Sequence, residues 1–498
     1  MNAGVDHERA PLWETLTGYA QSGIYPFHTP GHKGGHFAPP ELKEMLGARC
    51  LALDLPGMTA TDNTFHPTGC VRQAQRLASD LFGSAQTFFL SAGSTLGVAA
   101  ALLAAVRPGE IVALPRNIHR SVVAGLVLSG AVPRFVPHGV LSECGALGVS
   151  AAALAEALDA APRPAAVLLT RPSYYGLARE LADVVAVCRA RRIPLIADEA
   201  HGAHLHFLPQ GNPEPALAAG ADLVVQSCHK TLGSLVGSAQ LHVGRGSLVD
   251  AVRVQEALNF LQTTSPNYLM LASLDLMRRW MWREGCQLFT EAVAAALQLE
   301  QEVDAMPGLR VFRTEREPCL ADHRRDPLRM VVNVSGSGWT GYEVERHLRT
   351  EFRVEDEMAD WFNAVYVLSP QDDPAARGRL LAGLRAVSQS PKAVRGGGPQ
   401  GANREESRQH ELLQPPIPPM VTSPREAALA RKASVSLAAA AGRTSGEMVM
   451  FYPPGIPLLI PGEQVTPETI DVCRQLLAAG GNLYASDPTL ETVRVVES

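Results

Sequence analysis

The chain has 498 residues, 46% of them hydrophobic and 19% charged, with a formal net charge of −6. That balance belongs to a globular protein large enough for two or three domains. It gives no basic surface for nucleic acid, and the longest apolar stretch, Leu96 to Val106, is too short to cross a bilayer. The first ten residues carry charges and lack the apolar core of a secretory signal. The eight cysteines show no CxxC pairing and read as reduced thiols of a cytoplasmic protein.

In chain order, residues 11–24 predict a short helix leading into a loop, 25–36, with two prolines, three glycines and three histidines. A second irregular stretch covers 55–69. Shaped polar loops of this kind often lie over sites. The spacing of Ala74, Leu77, Ala78 and Leu81 predicts an amphipathic helix from Val71 to Phe82. Strands are then expected at 87–90, 110–115, 165–169, 193–197 and 223–225, separated by helical patterns that include about 94–106 and 119–129. Near-continuous apolar strands joined by helices predict a mostly parallel sheet covered on both faces, with ligands at the strands' carboxyl ends. A long helix is expected from Tyr268 to about Met306, stopped by Pro307 and Gly308. Residues 308–385 read as a smaller α+β part and 386–415 as a flexible linker. Structure resumes with a helix from Pro424.

Several strand ends carry chemistry. Lys230 follows the apolar run 221–225 and stands among Ser227, His229 and Thr231. Desolvation at a strand mouth lowers a lysine's pKa and frees its amine for Schiff-base formation; a surface lysine in a turn is the plainer alternative. The strand 193–197 ends on Asp198 and Glu199, which alternation turns to opposite sides. One can then face a site while the other is structural. An aspartate beside a heteroaromatic ring nitrogen would keep it protonated; helix capping is the alternative. Ser94 and Thr95, in a Gly/Ser turn between strand and helix, suit a phosphate or an ordinary N-cap. His119 either begins a helix or stacks on a planar cofactor. His201, His204 and His206 beside the two carboxylates invite a metal reading, but their side chains diverge and HExxH is absent, so no metal is expected. Together these residues supply a phosphate cradle, a stacking imidazole, a ring-nitrogen carboxylate and a Schiff-base lysine, in that order. That set makes a pyridoxal phosphate site.

The motifs Thr29–Gly35, Phe65–Gly69, Gly93–Thr95, Arg116–His119, Asp198–His204, Ser227–Lys230, Thr263–Pro266 and Tyr452–Pro457 resemble the bacterial ornithine/lysine/arginine decarboxylase family. They are most similar to its short members without an amino-terminal wing domain. The resemblance implies an α/β fold of the aspartate aminotransferase type (fold type I), with a mostly parallel sheet and a smaller α+β carboxyl-terminal domain. Residues 1–385 would form the cofactor-binding region: an arm at 1–65, a large domain at about 66–285 and a small part at about 286–385. Residues 416–498 would form a carboxyl-terminal decarboxylase domain. It further implies that Lys230 carries pyridoxal 5′-phosphate, Asp198 pairs with the pyridine nitrogen and His119 stacks on the ring. Ser94, Thr95, Ser227 and His229 would hold the phosphate, His201 would lie near the cofactor's O3′ side, and Thr263 would reach the phosphate of a neighbouring subunit in a homodimer or larger assembly. Arg120 departs from the lysine common after the stacking histidine, and the segment around Arg395–Gly398 looks longer than the family pattern.

The implied reaction is decarboxylation of arginine, lysine or ornithine, arginine slightly favoured, to CO2 and an amine of polyamine biosynthesis, with His229 or Lys230 protonating Cα. Closure of the His28–His36 loop would dry the pocket. An aminotransferase, a carbon–sulfur lyase and a non-catalytic decarboxylase-like regulator are the competing readings. Glu463 and Asp62 are the candidates for reading the substrate's distal cation, each with a plainer role as a surface or turn residue.

Overall fold

The computed structural model describes residues 6–141, 145–392, 417–452, 455–478 and 482–497. The chain opens with α1 (Pro11–Gln21), α2 (Pro40–Leu53), α3 (Cys70–Phe82), β1 (Gln86–Leu90) and α4 (Gly93–Ala105). It continues through β2 (Ile111–Leu114), α5 (Arg120–Ser129), β3 (Val132–Phe135), the short pair β4 (Val140–Leu141) and β5 (Gly145–Ala146), and α6 (Ala151–Asp159). Next come β6 (Ala166–Thr170), β7 (Leu177–Arg179), α7 (Ala182–Ala190), β8 (Leu195–Asp198), β9 (Leu223–Gln226), α8 (Cys228–Thr231), β10 (Ala239–Val243) and α9 (Ala251–Leu261). The remainder before residue 393 is α10 (Tyr268–Asp304), β11 (Arg310–Val311), β12 (His323–Arg325), β13 (Arg329–Asn333), α11 (Gly341–His347), β14 (Met358–Ala359), β15 (Asn363–Val367) and α12 (Pro374–Gln389). Chain contacts define two units, the first made of residues 1–105, 194–207 and 215–286, the second of 106–193, 208–214 and 287–498.

In the first unit, β8 and β9 run parallel with Asp198 beside Val225, and every residue of both strands is buried. On the other side of β9 lie β10 and then β1, both antiparallel to their neighbours. Strand β10 carries no clean apolar signal in the sequence, because Gln240 and His242 interrupt it. Both are fully buried. His242 takes a hydrogen from the Thr87 hydroxyl at Nδ1 (2.8 Å) and donates from Nε2 to Gln226 Oε1 (3.2 Å). Burial pushes its pKa down to about 3, so the ring is neutral and serves the sheet. Helix α3 buries Ala74, Leu77 and Ala78 as its spacing predicts. Helix α10 contains a fully buried ion pair: Arg278 bonds Asp275 (2.9 Å) and the His7 carbonyl (2.7 Å). Asp275 in turn accepts the Leu12 amide (2.9 Å). The amino-terminal segment is thereby tied to this helix.

In the second unit, β2 is parallel to both β3 and β6. A separate antiparallel sheet, in the order β11-β13-β15-β14, shares an apolar core with α11 and α12; this is the smaller α+β part. The assigned linker begins too early. Its first four residues belong to α12, whose apolar spacing continues through the buried Leu384 and Val387 and so keeps the helix attached. Residues 393–415 of that segment lie outside the described residues. Beyond it, the helix Pro424–Leu429 starts at a Ser423/Glu426 capping box.

Candidate active site

Strand β9 delivers the chain to Ser227, and a single helical turn, α8, follows. Its Cys228 is fully buried and pins the turn; burial drives that thiol's pKa far above its ordinary value, so it is inert packing. His229 Nδ1 lies 2.9 Å from the Ser238 carbonyl oxygen. A carbonyl only accepts, so Nδ1 carries the proton and a neutral ring keeps its lone pair on Nε2. Lys230 Nζ lies 2.8 Å from His201 Nε2; an ammonium only donates, so the imidazole accepts. Here the expectation of a desolvated lysine needs correction. Lys230 is exposed. Its amine is held by the buried His201 instead.

Asp198 ends β8, one strand over. It is 4% exposed, and its Oδ1 accepts the Ala200 amide at 3.3 Å. Burial raises its pKa, and the positive charge of Lys230 draws it partly back. Glu199, on the opposite side as alternation requires, is fully buried. It accepts from the Ala216 amide (2.9 Å) and from Gln226 Nε2 (2.8 Å), a structural role that locks the two parallel strands together at their carboxyl ends. The charge of Lys230 acts on Asp198.

The Gly/Ser turn opens α4. Gly93 has φ +73°, and its amide donates to the Gly237 carbonyl at 2.7 Å. Ser94 is half-buried and Thr95 exposed at this helix start. Gly97 sets the depth of the turn: a Cβ there would lie 2.7 Å from Val225 Cγ1 and 2.9 Å from Leu90 Cδ1. Only glycine lets the helix approach β9 this closely. Ser227 is fully buried, and its Oγ makes no hydrogen bond among the described residues. A buried hydroxyl without a partner is costly. With the α4 amides and the Ser94 and Thr95 hydroxyls, it suits a phosphate, and the buried carboxylate of Asp198 suits a protonated ring nitrogen. The residues present therefore fit pyridoxal phosphate. Thr263 follows α9, is exposed, and accepts the Ser265 amide at 3.1 Å.

His119 belongs to the second unit, where it caps α5: its Nδ1 accepts from the Ser121 amide (3.2 Å) and is 2.8 Å from the Ser121 hydroxyl. The ring is half-buried. Both candidates for reading a distal cation take plainer roles. Asp62 accepts the amides of Thr68, Gly69 and Val71 at 2.8–3.0 Å and closes its own loop. Glu463 is fully buried and bonds Arg116 through both oxygens, at 2.6 and 3.0 Å. These partners are 347 residues apart, beyond any local signal. The histidines near β8 separate as expected, His201 toward Lys230 and His206 against the Phe82 ring (5.2 Å).

Residues 10–375 match the family described as Orn/Lys/Arg decarboxylase, major domain, and residues 406–482 its C-terminal domain. The arginine decarboxylase of Bacillus subtilis (strain 168) is 35% identical over 99% of this chain and 98% of its own. The chain belongs to the Orn/Lys/Arg decarboxylase family. The arginine decarboxylase of Halalkalibacterium halodurans is 34% identical over 98% of both chains. The structure of the Escherichia coli constitutive lysine decarboxylase, at 19% identity, superposes with a TM-score of 0.83 over 99% of this chain and 82% of that one. The fold is that of the fold type I pyridoxal phosphate enzymes, as expected. The family is one of pyridoxal-phosphate-dependent carboxy-lyases, and the reaction is decarboxylation of a basic amino acid.

Proposed function

We propose that the enzyme decarboxylates arginine, with its cofactor held covalently on Lys230. The observation that carries this reading is the cluster at the carboxyl ends of β8 and β9: a lysine amine 2.8 Å from His201, facing the charge of a buried aspartate. Arginine is favoured over lysine and ornithine by full-length relatives named arginine decarboxylase.

Pyridoxal phosphate, when bound, supplies the sink for the electron pair left as the Cα–carboxylate bond breaks. Asp198 holds the proton on the pyridine nitrogen, and a cation there offsets the cost of its buried charge. Ser94, Thr95, Ser227 and the α4 amides hold the phosphate, with His229 beside them. His119 would cover the ring, and His201, which lies 2.8 Å from the Lys230 amine, would lie on the O3′ side and orient that amine. The Lys230 amine would also serve to carry a proton. His229, whose Nδ1 is fixed on the Ser238 carbonyl, or Lys230 delivers the proton to Cα, replacing the departing CO2. Thr263 completes the phosphate site of a neighbouring subunit, so the working form is a homodimer or a multiple of it. The enzyme works in the cytoplasm, and its product feeds polyamine biosynthesis.

Amine product analysis tests the assignment. Purified enzyme with added cofactor is offered arginine, lysine, ornithine and leucine, and CO2, ammonia and amines are measured. The expected result is CO2 and amine in equal amounts from arginine, with little from the other three. Preference for lysine or ornithine would overturn the substrate, and ammonia with a keto acid would overturn the reaction.

A further inference from the structure

The buried pair Arg116–Glu463 serves none of the chemistry above, yet it lies three residues before His119. Strand β2 ends at Leu114, and Arg116 starts the short turn that ends in His119, the cap of α5. Inside that turn the Ile118 amide bonds the Arg116 carbonyl at 2.8 Å. The guanidinium lies over the Phe135 ring at 4.8 Å and forks onto both Glu463 oxygens. Side-chain exposure is 5% for the arginine and 0% for the glutamate. Glu463 is itself fixed: its Oε2 accepts the Ile460 amide at 2.8 Å, and its carbonyl accepts the Ser445 amide at 2.7 Å. The same region grips the far end of α5. The helix Pro424–Leu429 packs along α5, and Arg425 donates to the Leu128 carbonyl in its last turn (2.7 Å).

We propose that Glu463 is a positioning residue for the cofactor. Through Arg116 it fixes the turn that aims the His119 ring, so the carboxyl-terminal domain holds α5 at both ends and sets the stacking surface. A bidentate Arg–carboxylate pair restrains angle as well as distance, which a stacking ring needs. The proposal rests on the reading that His119 stacks on the cofactor.

The test uses the full-length enzyme stripped of cofactor. Pyridoxal phosphate is titrated back into wild type, Glu463→Gln, His119→Ala and the double variant, and affinity and the visible circular dichroism of the bound cofactor are recorded. Glutamine keeps the volume but turns an N–H2 group toward the guanidinium, breaking the fork. His119→Ala should weaken cofactor binding by about tenfold, the scale of a lost aromatic stack, and change the dichroism. Glu463→Gln should weaken binding by several-fold and shift the dichroism in the same direction. The double variant should match His119→Ala to within about twofold, because both changes act through one ring. If Glu463→Gln lowers only the melting temperature, or if the two losses multiply, the positioning role is wrong. If His119→Ala changes neither readout, the stacking reading fails and the proposal falls with it. Should Glu463→Gln not fold, the apolar pair Arg116→Met/Glu463→Met removes both charges together, a replacement that buried pairs often tolerate. The same shift in dichroism is expected from it, and a wild-type spectrum overturns the proposal.

Discussion

Asp198 and Glu199 are neighbours in sequence with opposite duties. Strand alternation predicts that division, and the hydrogen bonds agree with it: Glu199 accepts from Ala216 and Gln226, while Asp198 keeps a buried carboxylate whose pKa is raised. A raised aspartate pKa means that folding disfavours the charged form. This group therefore costs the cofactor-free protein stability as pH rises through its unfolded value toward its folded one. A protonated ring nitrogen removes that cost. Asp198→Asn should lower turnover on the order of 10²-fold, the scale of losing a preorganised electrostatic partner. At pH 7 it should leave the cofactor-free melting temperature equal or higher, yet shrink the rise on adding cofactor. Calorimetry with and without cofactor, alongside steady-state turnover, checks both; near-normal turnover would exclude the pairing. At this scale the division between Asp198 and Glu199 was legible in sequence, because both stand at the end of an apolar run. The exposure of Lys230 and its bond to His201 were not, since they depend on the single turn α8.

A whole element can turn on one missing methyl. Helix α4 approaches β9 at Gly97, where a side chain would meet Val225 and Leu90 in the packed core. Gly97→Ala should lift the first turn of α4 from the strand that leads to Ser227. The expected loss is about 1–3 kcal/mol, as for an overpacked core, with weaker phosphate binding that excess cofactor partly restores. Denaturant unfolding and cofactor titration measure the two effects, and unchanged affinity would separate this helix start from the phosphate site. Elements were legible where the hydrophobic period was clean, as in α3, β8 and β9. Strand β10 was not, because His242 and Gln240 face the interior as polar residues, one of them bonded through Thr87 and Gln226. The end of α12 was obscured by a Gly/Pro-rich stretch that begins just after its last buried turn.

Ser94 and Thr95, His119, Asp198 and Lys230, each at or just after the end of a strand in that order, made the fold legible, and the longer set of motifs made the family legible. Pairs distant in sequence, such as Arg116 with Glu463 and Leu12 with Asp275, left no local trace. Assembly is testable by complementation. Lys230→Ala disables the site whose lysine it removes, whereas Thr263→Asp should repel the phosphate of the site across the interface. An isologous dimer mixing the two carries both lesions in one site and leaves the other intact. Equal input with random reassortment makes about half the dimers mixed, so about a quarter of all sites should be active. No recovery after proven subunit exchange would assign Thr263 to its own chain or to no role. The most direct measurement is reduction of the cofactor-loaded enzyme with borohydride, followed by peptide mapping. The pyridoxyl group is expected on Lys230, in the peptide containing Ser227 and His229, and absent from Lys230→Ala. An adduct on Lys33 or any other lysine would contradict the account.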